Sequence, residues 1–354
     1  METTRDGTNG KRVTIYTIAE KLGISSTTVY RALNNKTRIS ETTKEAVLST
    51  AKELGFRPNS VAKSLARKPL HVAFVVSSGF PEFHRHFING ARQTENELRD
   101  YNVRVDYFSN QDENVFDDGA SFVRTVLKKI AADSYDGLLF LGTGVDELDL
   151  IAGKGIPMAT VLNDYAKDNR CFFIHYDGQT AGRLAGELLF WKLGKGARVA
   201  LASGFEHIYM HRLIAGGFYE KCEELSLDVI GTLYNRDTRK IAYENTNTLL
   251  EEHPELQGIY VNSYNSSGVI RSIKERGLSG KIVLITSDIN EELARYIVDG
   301  TVSASIYQNQ YRQGRLGLRY LYNYISENQK IDDIISVNPE VIFKSNINRY
   351  QKEM

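Results

Sequence analysis

Between residues 13 and 56 apolar positions recur every three or four residues, the spacing of one helical face. Ile15, Ile18, Ala19 and Leu22 predict a first short helix, capped by Thr14 and ended at Gly23. Val29 and Leu33 bury one side of a second helix that Ser25 opens, and Ser26, Thr27, Tyr30 and Arg31 share its other side. After the polar turn NNKTR, Ser40 opens a third helix, with Val47, Ala51 and Leu54 inward and Gly55 as its stop. Helices this short persist only by packing on one another. The brief turn between the first two is a helix-turn-helix signature, in which the second helix enters the major groove of duplex DNA. Arg31 is suited to fork onto a guanine, and Ser26 and Thr27 are less selective readers. Helix-start chemistry is the alternative for the two hydroxyls, a phosphate contact or ion pair for Arg31, and packing for Tyr30.

The next stretch, FRPNSVAKSLARK (56–68), breaks at Pro58, and Asn59 can cap a further short helix with Val61, Ala62 and Leu65 on one side. Such a helix needs a partner to order against, DNA and a second copy of the chain being the natural ones; a charged linker is the alternative.

From residue 71 the rhythm changes. Short, nearly continuous apolar runs at 71–77, 103–109, 137–142, 158–162 and 171–177 read as buried parallel strands, alternating with helices near 86–99, 119–133 and 178–193. The pattern then repeats, with strands near 198–202, 228–233, 258–262, 282–286 and 302–307, a helix at 309–327, and short strand candidates near 333–343. This predicts an α/β body too long for one comfortable core, hence two parallel-sheet lobes with a cleft between them. Ligands of open α/β sheets sit beyond the carboxyl ends of the strands, so the residues following each strand are the ones to inspect.

Composition sharpens this picture. The 354 residues carry 44 Lys+Arg and 44 Asp+Glu, but residues 1–70 hold 13 basic against 6 acidic. The head therefore has an excess of seven positive charges, and the body an equal negative excess. A compact basic head is the footprint of a phosphate-backbone binder, or else a solvated tail. The only cysteines, Cys171 and Cys222, exclude a disulfide-rich fold and a cysteine-based zinc site. The polar start lacks the apolar region of a secretion signal, and no apolar run is long enough to span a membrane, so the expectation is a soluble, cytoplasmic protein. No GxGxxG follows the first strand, GLLFLGTG lacks the Lys-Ser/Thr of a phosphate loop, ASGFE is no nucleophile elbow, and no HExxH occurs. We therefore expect no catalytic residues, no metal and no cofactor.

Head and body together resemble the LacI/GalR family of bacterial transcription regulators. The resemblance rests on residues 13–66, from VTIYTIAEKLGISSTTVYRALNN through RPNSVAKSLA, and on the layout of 71–343, which is similar to ribose- and galactose-type periplasmic sugar-binding proteins. It implies a flexible tail at 1–12, a helix-turn-helix domain at 13–57, a hinge helix and linker at 58–70 and an effector and dimerisation body at 71–343. Within that body the N-lobe would hold about 71–175 plus 308–330 and the C-lobe about 176–304 plus 333–343, followed by a polar tail at 344–354 without a tetramer zipper. By position, Ser26, Thr27 and Arg31 match base readers; Ser25, Thr28, Tyr30 and Asn34 match phosphate positions, Tyr30 replacing the usual small serine. Leu65, with Ala62 beside it and Asn59 opening the helix, matches the minor-groove wedge of paired hinge helices, which requires a homodimer on a near-palindromic operator.

In the body the resemblance implies an effector, a sugar or polyol. Phe83 and His84 match aromatics flanking it, although Pro81 and Glu82 replace the usual Asn-Pro and Phe83 reads equally as core. Arg212, Asn262, Asp288 and Gln308 match polar contacts, and Ser263 stands where an Asp is frequent. The same residues fit bottom-up, because each is expected just beyond an apolar strand, where a cleft would be, and guanidinium, amide and carboxylate groups suit a polyol. Loop capping is the alternative for each. The expectation is a ligand-responsive repressor of carbohydrate-utilisation genes; the alternative is a transport-type sugar-binding protein without a DNA role.

Overall fold

The computed structural model describes residues 13–33, 36–56, 68–77, 81–109, 119–142, 146–164, 166–263 and 266–351. Asn34 and the hinge positions Asn59, Ala62 and Leu65 lie outside the described residues. The chain divides into two units, residues 1–68 and 69–354.

The first unit has three helices, α1 (Ile15–Leu22), α2 (Ser26–Leu33) and α3 (Glu41–Glu53). Thr14 and Ser40 accept from backbone N–H groups of the helices they open, and Gly23 takes φ +64° to end α1. Ile18, Ala19, Val29, Ala32, Val47 and Ala51 form a small core closed by Ile15, Leu22, Leu33 and Leu54.

The second unit alternates strand and helix. Its first sheet uses β1 (Leu70–Val76), β2 (Val103–Ser109), β3 (Gly137–Leu141), β4 (Met158–Val161) and β5 (Phe172–Tyr176). Its second uses β6 (Arg198–Ser203), β7 (Asp228–Tyr234), β8 (Gly258–Val261), β9 (Val283–Ser287) and β10 (Ala304–Tyr307). Two late strands, β11 (Ile334–Val337) and β12 (Glu340–Ile342), complete one sheet each, in the orders β11-β5-β4-β3-β1-β2 and β12-β10-β9-β8-β6-β7. The helices are α4 (Pro81–Glu97), α5 (Gly119–Ala132), α6 (Leu148–Gly153), α7 (Gly178–Leu193), α8 (Tyr209–Glu224), α9 (Arg239–Glu252), α10 (Ser266–Glu275), α11 (Glu291–Asp299), α12 (Gln310–Glu327) and α13 (Ile347–Gln351). The α/β architecture with two parallel-sheet lobes agrees with the sequence reading.

Four boundaries differ. The helix after β1 begins at Pro81, not 86, because proline is tolerated in a first helical turn, where its N–H is not needed. The segment expected in the C-lobe at 333–343 is split: β11 pairs parallel with β5 in the first lobe, and only β12 joins the second, antiparallel to β10. Pro339 separates them; lacking an N–H, it interrupts the ladder where the chain changes lobe. Tyr176 stays with the first sheet, and β10 carries the second through Tyr307. The last segment is not a purely polar tail. Ile347 and Tyr350, three apart on α13, are buried in the second-lobe core, and the Tyr350 hydroxyl donates to Glu340 Oε2 at 2.7 Å.

Both lobes are pinned by glycines at close helix crossings. A Cβ at Gly90 (α4) would lie 1.9 Å from the Tyr311 carbonyl oxygen of α12, and one at Gly182 (α7) 1.9 Å from the Ile214 carbonyl oxygen of α8. Only a residue without a Cβ lets these backbones approach so closely.

Candidate nucleic-acid interface and effector site

On α2 the buried side is Val29 and Ala32, and the exposed side presents Thr27, Tyr30 and Arg31, with Tyr30 half exposed. Ser26 lies between them, partly buried. Ser25 Oγ accepts from the Thr28 backbone N–H at 3.1 Å and meets the Thr28 hydroxyl at 2.8 Å. That pair therefore performs the helix-start role, which leaves Thr27, Tyr30 and Arg31 as the outward side chains. Lys21 of α1 bonds Glu53 of α3 at 2.7 Å across the surface of the bundle.

In the body, polar residues line the carboxyl ends of the second sheet: Asn235 after β7, Asn262 and Ser263 after β8, Asp288 after β9 and Gln308 after β10. Asp288 is 1% exposed and has φ +65°, a strained position for a non-glycine residue. Its Oδ2 accepts from Gln308 Nε2 at 2.8 Å and its Oδ1 from Gln310 Nε2 at 2.6 Å. Ser305 Oγ donates to its carbonyl oxygen at 2.5 Å. Burial pushes the Asp288 carboxyl up to about 7, against the pull of the Gln310 and Gln308 hydrogen bonds. Gln313, one turn further along α12, donates to the Gln308 carbonyl at 2.9 Å. Gln310 Oε1 and Gln313 Oε1 are buried with no hydrogen-bond partner.

A second cluster sits on the β6–β7–β8 side. Asn262 Nδ2 donates to the His211 carbonyl at 3.4 Å, and its Oδ1 is buried without a partner. Asn235 Nδ2 donates to Ser263 Oγ at 3.3 Å. His211 and Asp237 converge on Gly204, whose Cβ would lie 2.4 Å from His211 Cε1 and 2.7 Å from Asp237 Oδ1. Burial lowers the His211 affinity for a proton and raises that of Asp237, each opposed by the charge of the other. Arg212 is exposed on α8, and its Nη1 donates to the His207 carbonyl at 2.9 Å.

The first lobe contributes α4. Phe83 is 8% exposed and belongs to the first-lobe core with Val76 and Phe87, and His84 is fully buried beside it. His86, also buried, makes a hydrogen bond with the Ile289 backbone in the second lobe. Burial holds both histidines down to about 4, so both are neutral at pH 7. The structure thus brings Asp288 and Gln308 into direct contact and sets Asn262 and Ser263 side by side. Arg212 meets neither group through a hydrogen bond of its guanidinium, and Phe83 and His84 are packed inward.

Gln310, Gln313, His86, Asp237 and His211 were missed by sequence reasoning. A signal for two of them existed. Gln310 and Gln313 share the helix face of Gly314, Gly317, Leu318 and Leu321, so they are amides at core-facing positions. A separate groove of about 410 Å³ lies between α4, α12, β12 and α13. Its arginines are internally compensated in part, since Glu97 binds Arg315 at 2.7 Å and Arg319 at 2.6 Å.

Comparison with known proteins accords with both units. Residues 14–59 match the family model of bacterial regulatory proteins, lacI family, and residues 72–330 match that of the periplasmic binding protein domain. Catabolite control protein A of Priestia megaterium is 26% identical over 343 residues, covering 94% of this chain and 98% of that protein. The protein of the same name from Staphylococcus xylosus is 24% identical over 326 residues, covering 91% and 94%. Among solved structures, the glucose-galactose binding protein GanP from Geobacillus stearothermophilus aligns with a TM-score of 0.68 at 23% identity, over 79% of this chain and 99% of its own. AraP, an arabinose binding protein from the same organism, aligns with a TM-score of 0.70 at 17% identity, over 80% and 99%. With a helix-turn-helix head and a two-lobed body, the chain carries a lacI-family domain of bacterial regulatory proteins at residues 14–59 and belongs, through residues 72–330, to the periplasmic binding protein domain family.

Proposed function

We propose that the protein is a homodimeric repressor of carbohydrate-utilisation genes that binds a near-palindromic operator and changes its affinity for it when a sugar or polyol binds the body. The observation that carries the DNA role is α2, which buries Val29 and Ala32 and turns Thr27, Tyr30 and Arg31 outward. Arg31, Thr27 and Ser26 are assigned to base edges; Ser25, Thr28, Tyr30 and Asn34 to phosphates. The hinge segment, with Leu65 as wedge, supplies the minor-groove contact. The polar edge of the second lobe, Asn262 to Gln308, supports a hydroxyl-rich effector. The relatives named catabolite control protein A support a role in carbohydrate gene control. Binding rather than catalysis is the body's task, and a regulator of DNA works in the cytoplasm.

Selection from a random duplex library with the full chain at near-physiological salt tests this reading. Enrichment of a near-palindrome with a central pyrimidine–purine step is expected. Arg31→Ala is then expected to lower affinity for the selected site by about 1–3 kcal/mol and to relax preference at one position per half-site. No enriched sequence, with or without a panel of sugars and nucleobases, would overturn the DNA role and leave a sugar-binding body alone.

A further inference from the structure

The residues around Asp288 come from both lobes. Asp288 and Ile289 follow β9 in the second lobe. Gln310 opens α12, which belongs to the first lobe: Gly314 packs on the Phe87 backbone of α4, and Gly317 lies against Leu139 of β3. His86 stands on α4 itself. The first lobe therefore grips two successive residues of one second-lobe loop, Asp288 through Gln310 at 2.6 Å and Ile289 through His86. Gln308, in the crossing between the lobes, takes the other Asp288 oxygen at 2.8 Å, and Gln313 ties the Gln308 carbonyl back to α12 at 2.9 Å. The same crossing is fastened on its other side, where Asn309 donates to Glu340 of β12 at 2.8 Å.

We propose that Gln310 and His86 form a built-in lock that holds the angle between the lobes. Every group in the knot is buried: Asp288 is 1% exposed, Gln310 1%, Gln313 0%, His86 3% and Gln308 9%. Rotating the lobes apart would strip Asp288 and Ile289 of these partners. An unmatched buried carboxylate is costly, so the knot resists rotation until water or another donor replaces the amide. The inference rests on the two-lobed body and, for its regulatory meaning alone, on the effector-responsive reading above.

The test reads the lobe angle directly and involves neither DNA nor effector. Nitroxides are placed at Lys128→Cys on α5 and Lys240→Cys on α9, whose parent side chains are 65% and 81% exposed, in a Cys171→Ser background. Labelled full chain is diluted with unlabelled chain so that only distances within one chain are read by pulsed electron resonance. One narrow distance distribution is expected without ligand, and Gln310→Ala with His86→Ala should add a distinctly longer population. Should that double variant not fold, Gln310→Met keeps the side-chain length, removes the amide and should broaden the distribution in the same direction. A broad or bimodal distribution in the parent, or an unchanged one in folded variants, overturns the lock. Operator selection with the unlabelled parent separately reports on the regulator reading, so either can fail alone.

Discussion

The two lobes of the body have equivalent strand orders, but helix α4 of the first carries chemistry unlike the strand ends of the second. Each places its first strand between the second and third, and each receives one late strand beside its fifth. Each also crosses a helix pair on glycines, Gly90 and Gly314 in one and Gly182 and Gly217 in the other. Yet the first lobe buries Phe83, His84 and His86 on α4, with His86 facing the second lobe, whereas the second ends its strands on Asn235, Asn262, Asp288 and Gln308. One architecture thus supports an apolar face with neutral imidazoles and a face of amides and a carboxylate. The backbone sets where side chains are presented, and the residues at each place, on a helix in one lobe and after the strands in the other, set what is presented.

The shared frame can be broken most severely at the crossings. Gly90→Ala and Gly182→Ala each put a methyl 1.9 Å from a backbone oxygen, so each helix pair must separate. A loss of about 3 kcal/mol or more is expected for both, measured by chemical denaturation. Full stability in one variant alone would show that the lobes do not share this constraint.

The unlike chemistry predicts opposite responses to pH. Asp288 titrates near 7 when folded and near 3.8 as a free group, so the folded state holds its proton more tightly. Its contribution to stability therefore falls as pH rises from about 4 to about 7. Asp288→Asn should stabilise the chain by about 2–4 kcal/mol at pH 8 and have little effect near pH 4. The asparagine amide can donate to Gln310 Oε1, now without a partner, once that side chain turns. Thermal melts of parent and variant across this range check the difference; equal gains at both ends would mean that the carboxyl is not desolvated.

In the first lobe the sign is reversed. His86 is lowered from 6.5 to about 4, so its contribution is intact above the free value and is lost as pH falls from about 6.5 to about 4. His86→Gln retains a donor within reach of Ile289 and removes the titration. The acid-side loss of melting temperature should shrink by an amount corresponding to about 1–3 kcal/mol, less than the Asp288 effect. His84, lowered in the same way, would continue to titrate in that variant. An unchanged acid limb would place the loss elsewhere.

The smallest expected effect lies outside the body. The Lys21–Glu53 pair of the head has exposed partners, 42% and 65%, and Lys21→Ala should cost less than about 1 kcal/mol. High salt should erase even that difference, unlike the sealed contacts of Asp288.

Periodicity alone placed the three head helices and ten parallel-type strands, because helical and strand spacings are local properties of the chain. The order of polar residues after β8, β9 and β10 was legible for the same reason, and so was the outward face of α2. Pairing was not. The split of 333–343 between lobes depends on which sheet has an open edge beside β5 or β10, and the burial of Ile347 and Tyr350 depends on a second-lobe surface formed by distant segments. Likewise Asp288 stood out as a carboxylate after a strand, but its partners Gln310 and Gln308 meet it only through side-chain geometry across the lobe crossing. Sequence by itself determined the elements, the family and the chemical character of each strand end. Tertiary structure alone decided which of those polar groups face one another and which are sealed from water, because burial and hydrogen bonding are settled by residues far apart in the chain.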